Sequence, residues 1–329
     1  MHPAERVRLG RSDLPVTRLG LGLAPIGGLY TAVPPQQAIA TIDMAFQKGI
    51  RLFDTAPLYG YGRSETLAGK ALAPHPRDWY TLSTKVGRVL EPGGDNTQDI
   101  WADPPPGVAP RLDFSPAAIR QSFQDSLDRL GLERIDIVHL HDPDDHYEEA
   151  AGGAFDVLAQ LRAAGTIGAI SVGMNQGAML ARFARELPLD CVMLAGRYTL
   201  LDHSGLDELL PVCAQRGIGV LAAGVYNSGL LADPQPGARY NYGPASAALL
   251  AKALAIKDIC DRYEIPLRAA AIQFPFGHRA VTSVVIGART PAEVEDAVAM
   301  CAVDIPPQLW QDLRAEGLLP LDVAVPGHS

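Results

Sequence analysis

The chain has 329 residues, 47% of them hydrophobic, with 28 Lys and Arg against 37 Asp and Glu for a net charge of −9. That length and apolar content suit one large core, and residues 1–329 read as a single domain, because an α/β barrel of this size is usually undivided. The acidic balance argues against non-specific nucleic-acid binding, which depends on basic patches, and the sequence holds neither an apolar stretch long enough to span a bilayer nor a secretion-signal layout at its start.

The expectation is therefore a cytoplasmic enzyme with a small-molecule substrate, acting as monomer or homodimer, with no nucleic-acid or membrane partner. Cys191, Cys213, Cys260 and Cys301 are widely spaced without a Cys-x-x-Cys, so they read as buried thiols and not as a disulfide framework or zinc site.

In chain order, a hairpin (6–9 and 16–17) turns through Arg11-Ser12-Asp13. Short apolar runs then alternate with longer amphipathic ones, the mark of repeated βα units. Strands are expected at 19–23, 51–54, 80–85, 135–139, 167–172, 191–195, 217–222 and 281–286. The helices between and after them are expected at 35–48, 64–73, from Ser115, 147–164, 176–186, 205–216, 245–262 with 267–274, and 291–300, with a terminal helix at 306–317. Ser115-Pro116 is an N-cap followed by proline at the first helical position. Eight such units with continuous apolar strands predict a parallel (β/α)8 TIM barrel behind an N-terminal β-hairpin. Segments 90–114, with Trp101, and 224–244, with Tyr226, Tyr240 and Tyr242, break the rhythm. Both follow strands, so both are expected as long loops covering the C-terminal face of the barrel.

Four polar residues follow the apolar runs: Asp54 and Tyr59 in Phe53-Asp54-Thr55-Ala56-Pro57-Leu58-Tyr59-Gly60, Lys85 in Ser83-Thr84-Lys85-Val86-Gly87, and His141 closing 135–141. Strand ends are where barrel enzymes keep their chemistry. A phenol beside an ammonium held by a carboxylate, with an imidazole opposite, suits proton-coupled hydride transfer at a carbonyl carbon. Tyrosine alone, with a pKa of about 10, is a poor base near neutrality, and Lys85 is expected to lower that value.

These residues and their order resemble the aldo-keto reductase family over nearly the whole chain, with Phe-Asp-Thr-Ala-x-x-Tyr-Gly the most specific piece. The resemblance implies that Tyr59 exchanges a proton, that His141 orients the substrate oxygen, and that a nicotinamide lies extended across the barrel mouth. Ser228-Gly229-Leu230-Leu231 matches the strand-seven loop over the pyrophosphate, where small residues with free backbone N–H groups approach phosphate closely. Gly287-Ala288-Arg289 entering the last helix matches the adenosine-binding segment, and Glu293 stands where NADP-specific relatives often carry arginine. A carboxylate there repels a 2′-phosphate and accepts from free ribose hydroxyls, so NAD is preferred, with NADP use left open by Arg289. Gly20-x-Gly22 fails the Rossmann fingerprint because Pro25 takes the third glycine position, and Gly22 is kept as a cofactor contact on the barrel reading.

Departures from the family pattern are also present. Asn175 in Gly173-Met174-Asn175 is the candidate for the carboxamide contact, and Ala223 stands at the usual stacking tyrosine. Arg197 reads either as a cofactor or substrate contact or as a core ion pair. Segments 141–146, 173–175 and 224–229 resemble the branch of L-fucose and D-threo-aldose 1-dehydrogenases, with pyridoxal 4-dehydrogenase close by. The resemblance implies oxidation of an aldose (L-fucose, D-arabinose or L-galactose type) at its anomeric hydroxyl to a lactone. Tyr30, Trp101 and Asp142 are the candidate substrate contacts. A pyridoxal dehydrogenase, whose aromatic substrate would stack on Trp101 or Tyr30, is the alternative enzyme, and a nicotinamide-binding regulatory subunit is the alternative of another class. His139 and His141 with Asp142, Asp144, Asp145 and His146 also suggest a metal site. Strands five and six end without further ligands, however, so no metal is assigned and His139 reads as an inner-layer core residue.

Overall fold

Eight parallel strands close into a ring in a computed structural model that describes residues 1–93 and 98–327. They are β1 (Leu19–Gly22), β2 (Leu52–Asp54), β3 (Thr81–Val86), β4 (Ile135–His141), β5 (Ile167–Met174), β6 (Cys191–Ala195), β7 (Gly219–Ala223) and β8 (Val281–Gly287). Each pairs with the next, and β8 returns to β1 with Gly287 opposite Gly22. This is the expected (β/α)8 barrel.

Alternation along each strand divides the core. Leu52, Ile137, Ala169, Met193, Leu221 and Val285 fill the barrel interior, while Phe53, Val138, Ile170, Val192 and Ala222 pack outward under the helices. The same period-two rule turns Asp54, Lys85, His139 and His141 inward, one step closer to the open end. An antiparallel hairpin, Arg6–Arg8 with Pro15–Thr17, closes the other end and adds Leu9 and Val16 to the inner cluster.

Helices form where the apolar period is 3.6 and a cap is available. Ser115 accepts from the Ala118 N–H ahead of Pro116–Leu130, and Thr290 accepts from the Glu293 N–H ahead of Pro291–Ala302. Among the described residues no helix is long and apolar enough to cross a membrane.

Two expected elements differ. The 147–164 helix is broken into Tyr147–Glu149, a wide-turn segment Ala150–Ala154 and Phe155–Ala163, with non-helical angles at Gly152. The segment expected as loop from 90 to 114 carries a β-ribbon at its base, Arg88–Pro92 paired antiparallel with Val108–Leu112; the part of that expectation on residues 94–97 lies outside the described residues. A shorter ribbon, Arg239–Tyr240 with Gly243–Pro244, lies in the second long segment.

Candidate active site

Asp54 ends β2 and faces Lys85, which is one step further along β3. The Lys85 ammonium donates to Asp54 Oδ2 at 2.6 Å and to the Thr55 carbonyl at 2.9 Å, while Ser83 donates to Asp54 Oδ1 at 2.6 Å. Lys85 is 2% exposed and Asp54 3%. A desolvated ion pair persists only when such additional partners complete it.

Tyr59 reaches this pair through the tight turn after β2. Gly60 has φ of 60°, and a Cβ there would lie 2.0 Å from the Gly27 carbonyl oxygen, so the turn admits only glycine. The turn then feeds helix Arg63–Leu72, with the Ser64 N–H donating to the Tyr59 carbonyl. Lys85 Nζ lies 4.7 Å from the Tyr59 ring centroid, over its face. The His141 ring meets the phenol ring edge to face at 6.1 Å.

One expectation is overturned. Burial, and then the Asp54 and Asp142 charges, push the Tyr59 hydroxyl well above the ordinary tyrosine value, with only Arg88 opposing them. The Lys85 ammonium lies over the ring and is paired to Asp54, so the lowering expected of it from the sequence is outweighed by burial. The neutral phenol is therefore the favoured form at rest, the form that donates in the reductive direction.

Burial, with Arg88 and Lys85 nearby, keeps His141 well below the usual imidazole range and therefore neutral. Its Nδ1 is buried without a partner among the described residues. A buried bare lone pair costs less than a buried bare N–H, which places the proton on Nε2. His139 is fully buried, as expected for an inner-layer residue, but it is also wired to the site: Nδ1 meets Ser171 Oγ at 2.8 Å and Nε2 lies 3.6 Å from Asp54 Oδ1.

These groups open into a cleft of about 590 Å³ lined by Tyr59, Lys85, His141, Asp142, Trp101, Asn175 and Arg197, together with Arg88, Met174, Met193, Asn241 and Tyr242. Trp101 stands 5.8 Å from the Tyr59 ring. Asp142, with a strained φ of 46°, is paired to Arg88 at 2.9 Å. Arg197 lines the cleft, bonds Asn241 at 2.9 Å and lies 3.8 Å from a partly exposed Asp202, so it is not a core ion pair. Tyr242 belongs to the 224–244 segment expected over the barrel mouth and does line the cleft, whereas Arg88 and Asn241 carry no motif that marks them in the sequence.

Other expected contacts fall elsewhere. Tyr30 is not in the cleft wall; it backs Tyr242 at 6.5 Å, with Arg239 over its face. Leu230 is buried in the core. The N–H groups of Gly229 and Leu230 are already bonded to the Tyr226 and Asn227 carbonyls, so these two are not free for phosphate as expected; Ser228 is exposed with φ of 58°. Gly22 and Gly287 face one another across β1 and β8, and a Cβ on Gly287 would press within 2.7 Å of Pro25, so smallness there serves packing. Ala288 is buried. Arg289 and Glu293 are half-exposed and paired at 2.8 Å, and Glu293 also accepts from the Arg289 N–H.

The donor set suits a nicotinamide dinucleotide. Asn175 offers an amide and Arg197 a cation in the cleft beside Tyr59, and Arg289 stands at the start of the last barrel helix.

A closed (β/α)8 barrel with a Tyr, a Lys–Asp pair and a His at its mouth defines a barrel oxidoreductase. Residues 18–316 match the aldo/keto reductase family, and the chain belongs to it. It is 41% identical to a D-threo-aldose 1-dehydrogenase of Pseudomonas sp over 94% of this chain and 96% of that one. It is 40% identical to a pyridoxal 4-dehydrogenase of Microbacterium luteolum over 96% and 98%. Among solved structures, the aldo-keto reductase AKR11C1 from Bacillus halodurans (holo form) superposes with a TM-score of 0.75 at 25% identity, covering 94% of this chain and 95% of that one.

Proposed function

We propose that the chain is an NAD(P)-dependent aldose 1-dehydrogenase that oxidises the C1 hydroxyl of an aldose of L-fucose, D-arabinose or L-galactose type to the lactone, with NAD preferred. The observation that carries this reading is the meeting of Tyr59, Lys85 and His141 on one cleft wall. The similarity to a D-threo-aldose 1-dehydrogenase over nearly full length supports the substrate class.

When bound, the oxidised nicotinamide supplies the acceptor for the hydride from C1. In the reductive direction Tyr59 Oη–H gives its proton to the carbonyl oxygen; in the oxidative direction it first releases that proton to water in the open cleft and then takes the proton of the C1 hydroxyl as the carbonyl forms. His141 Nε2–H donates to the same oxygen and fixes it. The Lys85–Asp54 pair holds a cation under the phenol ring, where charge develops as the proton moves. Asn175 and Arg197 would hold the nicotinamide end, and Ser228 and Arg289 the phosphates and adenosine end. Glu293 would accept from free ribose hydroxyls and repel a 2′-phosphate, which is the basis for proposing NAD. Carbohydrate metabolism in the cytoplasm is the setting this proposal implies.

A pyridoxal substrate is the second reading. It is favoured by Trp101 beside Tyr59 and by the 40% identical relative. Following reduced nicotinamide with L-fucose, D-arabinose, L-galactose and pyridoxal against NAD and NADP tests both. The expected result is a kcat/KM for at least one aldose that exceeds pyridoxal by tenfold or more, whereas turnover of pyridoxal alone would assign the second reading.

A further inference from the structure

Three groups on the cleft wall lie in a row: His141, Asp142 and Arg88. His141 Nε2 and Asp142 Oδ2 are 3.7 Å apart, too long for a hydrogen bond between them. Arg88 Nη2 donates to that same Oδ2 at 2.9 Å, and the Asp142 N–H donates to the Gly173 carbonyl at 3.0 Å. Asp142 is thus fixed from both its backbone and its side chain, at the cost of a left-handed φ of 46°. The result is an Nε2–H donor and a carboxylate acceptor side by side, both at the cleft. Their spacing suits two oxygens on adjacent carbons, one accepting from His141 and the other donating to Asp142.

We propose that Asp142, oriented by Arg88, reads the hydroxyl on the carbon next to the reacting carbon, so that the enzyme selects substrates carrying a free C2 hydroxyl of one configuration. This rests on the aldose reading and names its specificity residue. With the oxygen of C1 at His141, a hydroxyl on C2 is the substrate group that falls at Asp142. A C2 hydroxyl of opposite configuration points away from the carboxylate. A C2 methylene leaves a carboxylate desolvated by the bound sugar and without its partner, which is the situation in which enzymes reject an analogue most strongly.

D-arabinose, D-ribose and 2-deoxy-D-ribose differ only at C2 and form the test, each assayed for kcat/KM with NAD and NADP. For the unaltered enzyme the better of the two pentoses should exceed 2-deoxy-D-ribose by about a hundredfold or more. Asp142→Gly tolerates the left-handed backbone and should bring that ratio within about fivefold of unity, because the hydroxylated sugar loses far more than the deoxy sugar does. Asp142→Asn retains an acceptor and should keep most of the discrimination, and Arg88→Gln should lower it about tenfold. A variant that merely disturbed the fold would lower all three sugars together and leave their ratios alone; that outcome in Asp142→Gly, with an unchanged ratio, overturns the proposal. Equal use of 2-deoxy-D-ribose by the unaltered enzyme overturns it as well while leaving the aldose reading standing. Turnover of pyridoxal with none of the aldoses in the panel would defeat the aldose reading itself, and the inference with it.

Discussion

Lys85 and Asp54 show at the residue scale why chemistry types were legible in the sequence and their electrostatics were not. Period-two alternation and the position after an apolar run identify which side chains turn inward at a strand end. Whether a neighbouring ammonium lowers a phenol depends on where it lies relative to the hydroxyl and on what else it faces. Here it lies 4.7 Å from the ring centroid, over the face, and is 2.6 Å from Asp54. Burial then dominates at Tyr59, and its effect runs in the opposite sense. The buried pair has a stability signature. Lys85→Met leaves the Asp54 carboxylate without its counter-ion and should cost about 3–5 kcal/mol. Replacing both, as Lys85→Met with Asp54→Leu, should recover most of that loss. Urea denaturation with unchanged slope measures it; additive losses in the double variant would show that the two residues are not coupled.

At the scale of elements, the barrel strands and their helices were legible because each is a long, regular pattern. The ribbons were not. Arg88–Pro92 and Val108–Leu112 pair across a segment rich in Pro, Gly and Asp, so their register comes from contacts distant in sequence and not from local propensity. For the same reason Arg88 escaped notice although it lines the cleft. The strand-seven loop shows the converse: Ser228-Gly229-Leu230 was legible as a motif, yet its internal turn occupies two of the N–H groups assigned to phosphate. The start of helix Pro291–Ala302 carries the cofactor preference. Arg289 and Glu293 are half-exposed, so their pair adds little stability, and Glu293→Arg should fold normally. It should also remove the repulsion of a 2′-phosphate and raise kcat/KM for NADP relative to NAD by about tenfold, since a close charge pair exchanged for an attractive one is worth at least 1.4 kcal/mol. A ratio within twofold of the parent would place cofactor choice elsewhere.

For the whole molecule, closing the barrel buries a polar layer above an apolar one, and that layer makes stability depend on pH. His139 and His141 are neutral in the fold, with burial the first cause in each and Lys85 adding to it. Their folded values lie below the unfolded value of about 6.5, so their contribution is fully present above that pH. As pH falls through 6.5 the unfolded chain takes up protons that the fold refuses, and stability drops by up to about 1.4 kcal/mol per pH unit for each histidine. Thermal unfolding should therefore weaken between pH 6.5 and 5, before most carboxylates titrate, and His139→Leu should flatten that slope. An unchanged slope in the variant would mean that His139 takes up a proton in the folded barrel.

Hydride transfer in this barrel requires Tyr59 to carry the proton, and comparing the unaltered enzyme with Tyr59→Phe tests that requirement. Turnover is followed by nicotinamide absorbance and cofactor binding is titrated separately. The expected result is a fall in kcat of about a thousandfold, within the range lost when a general acid or base is removed, with the cofactor Kd within twofold of the parent. A variant that binds cofactor equally and keeps more than a tenth of the activity would contradict it.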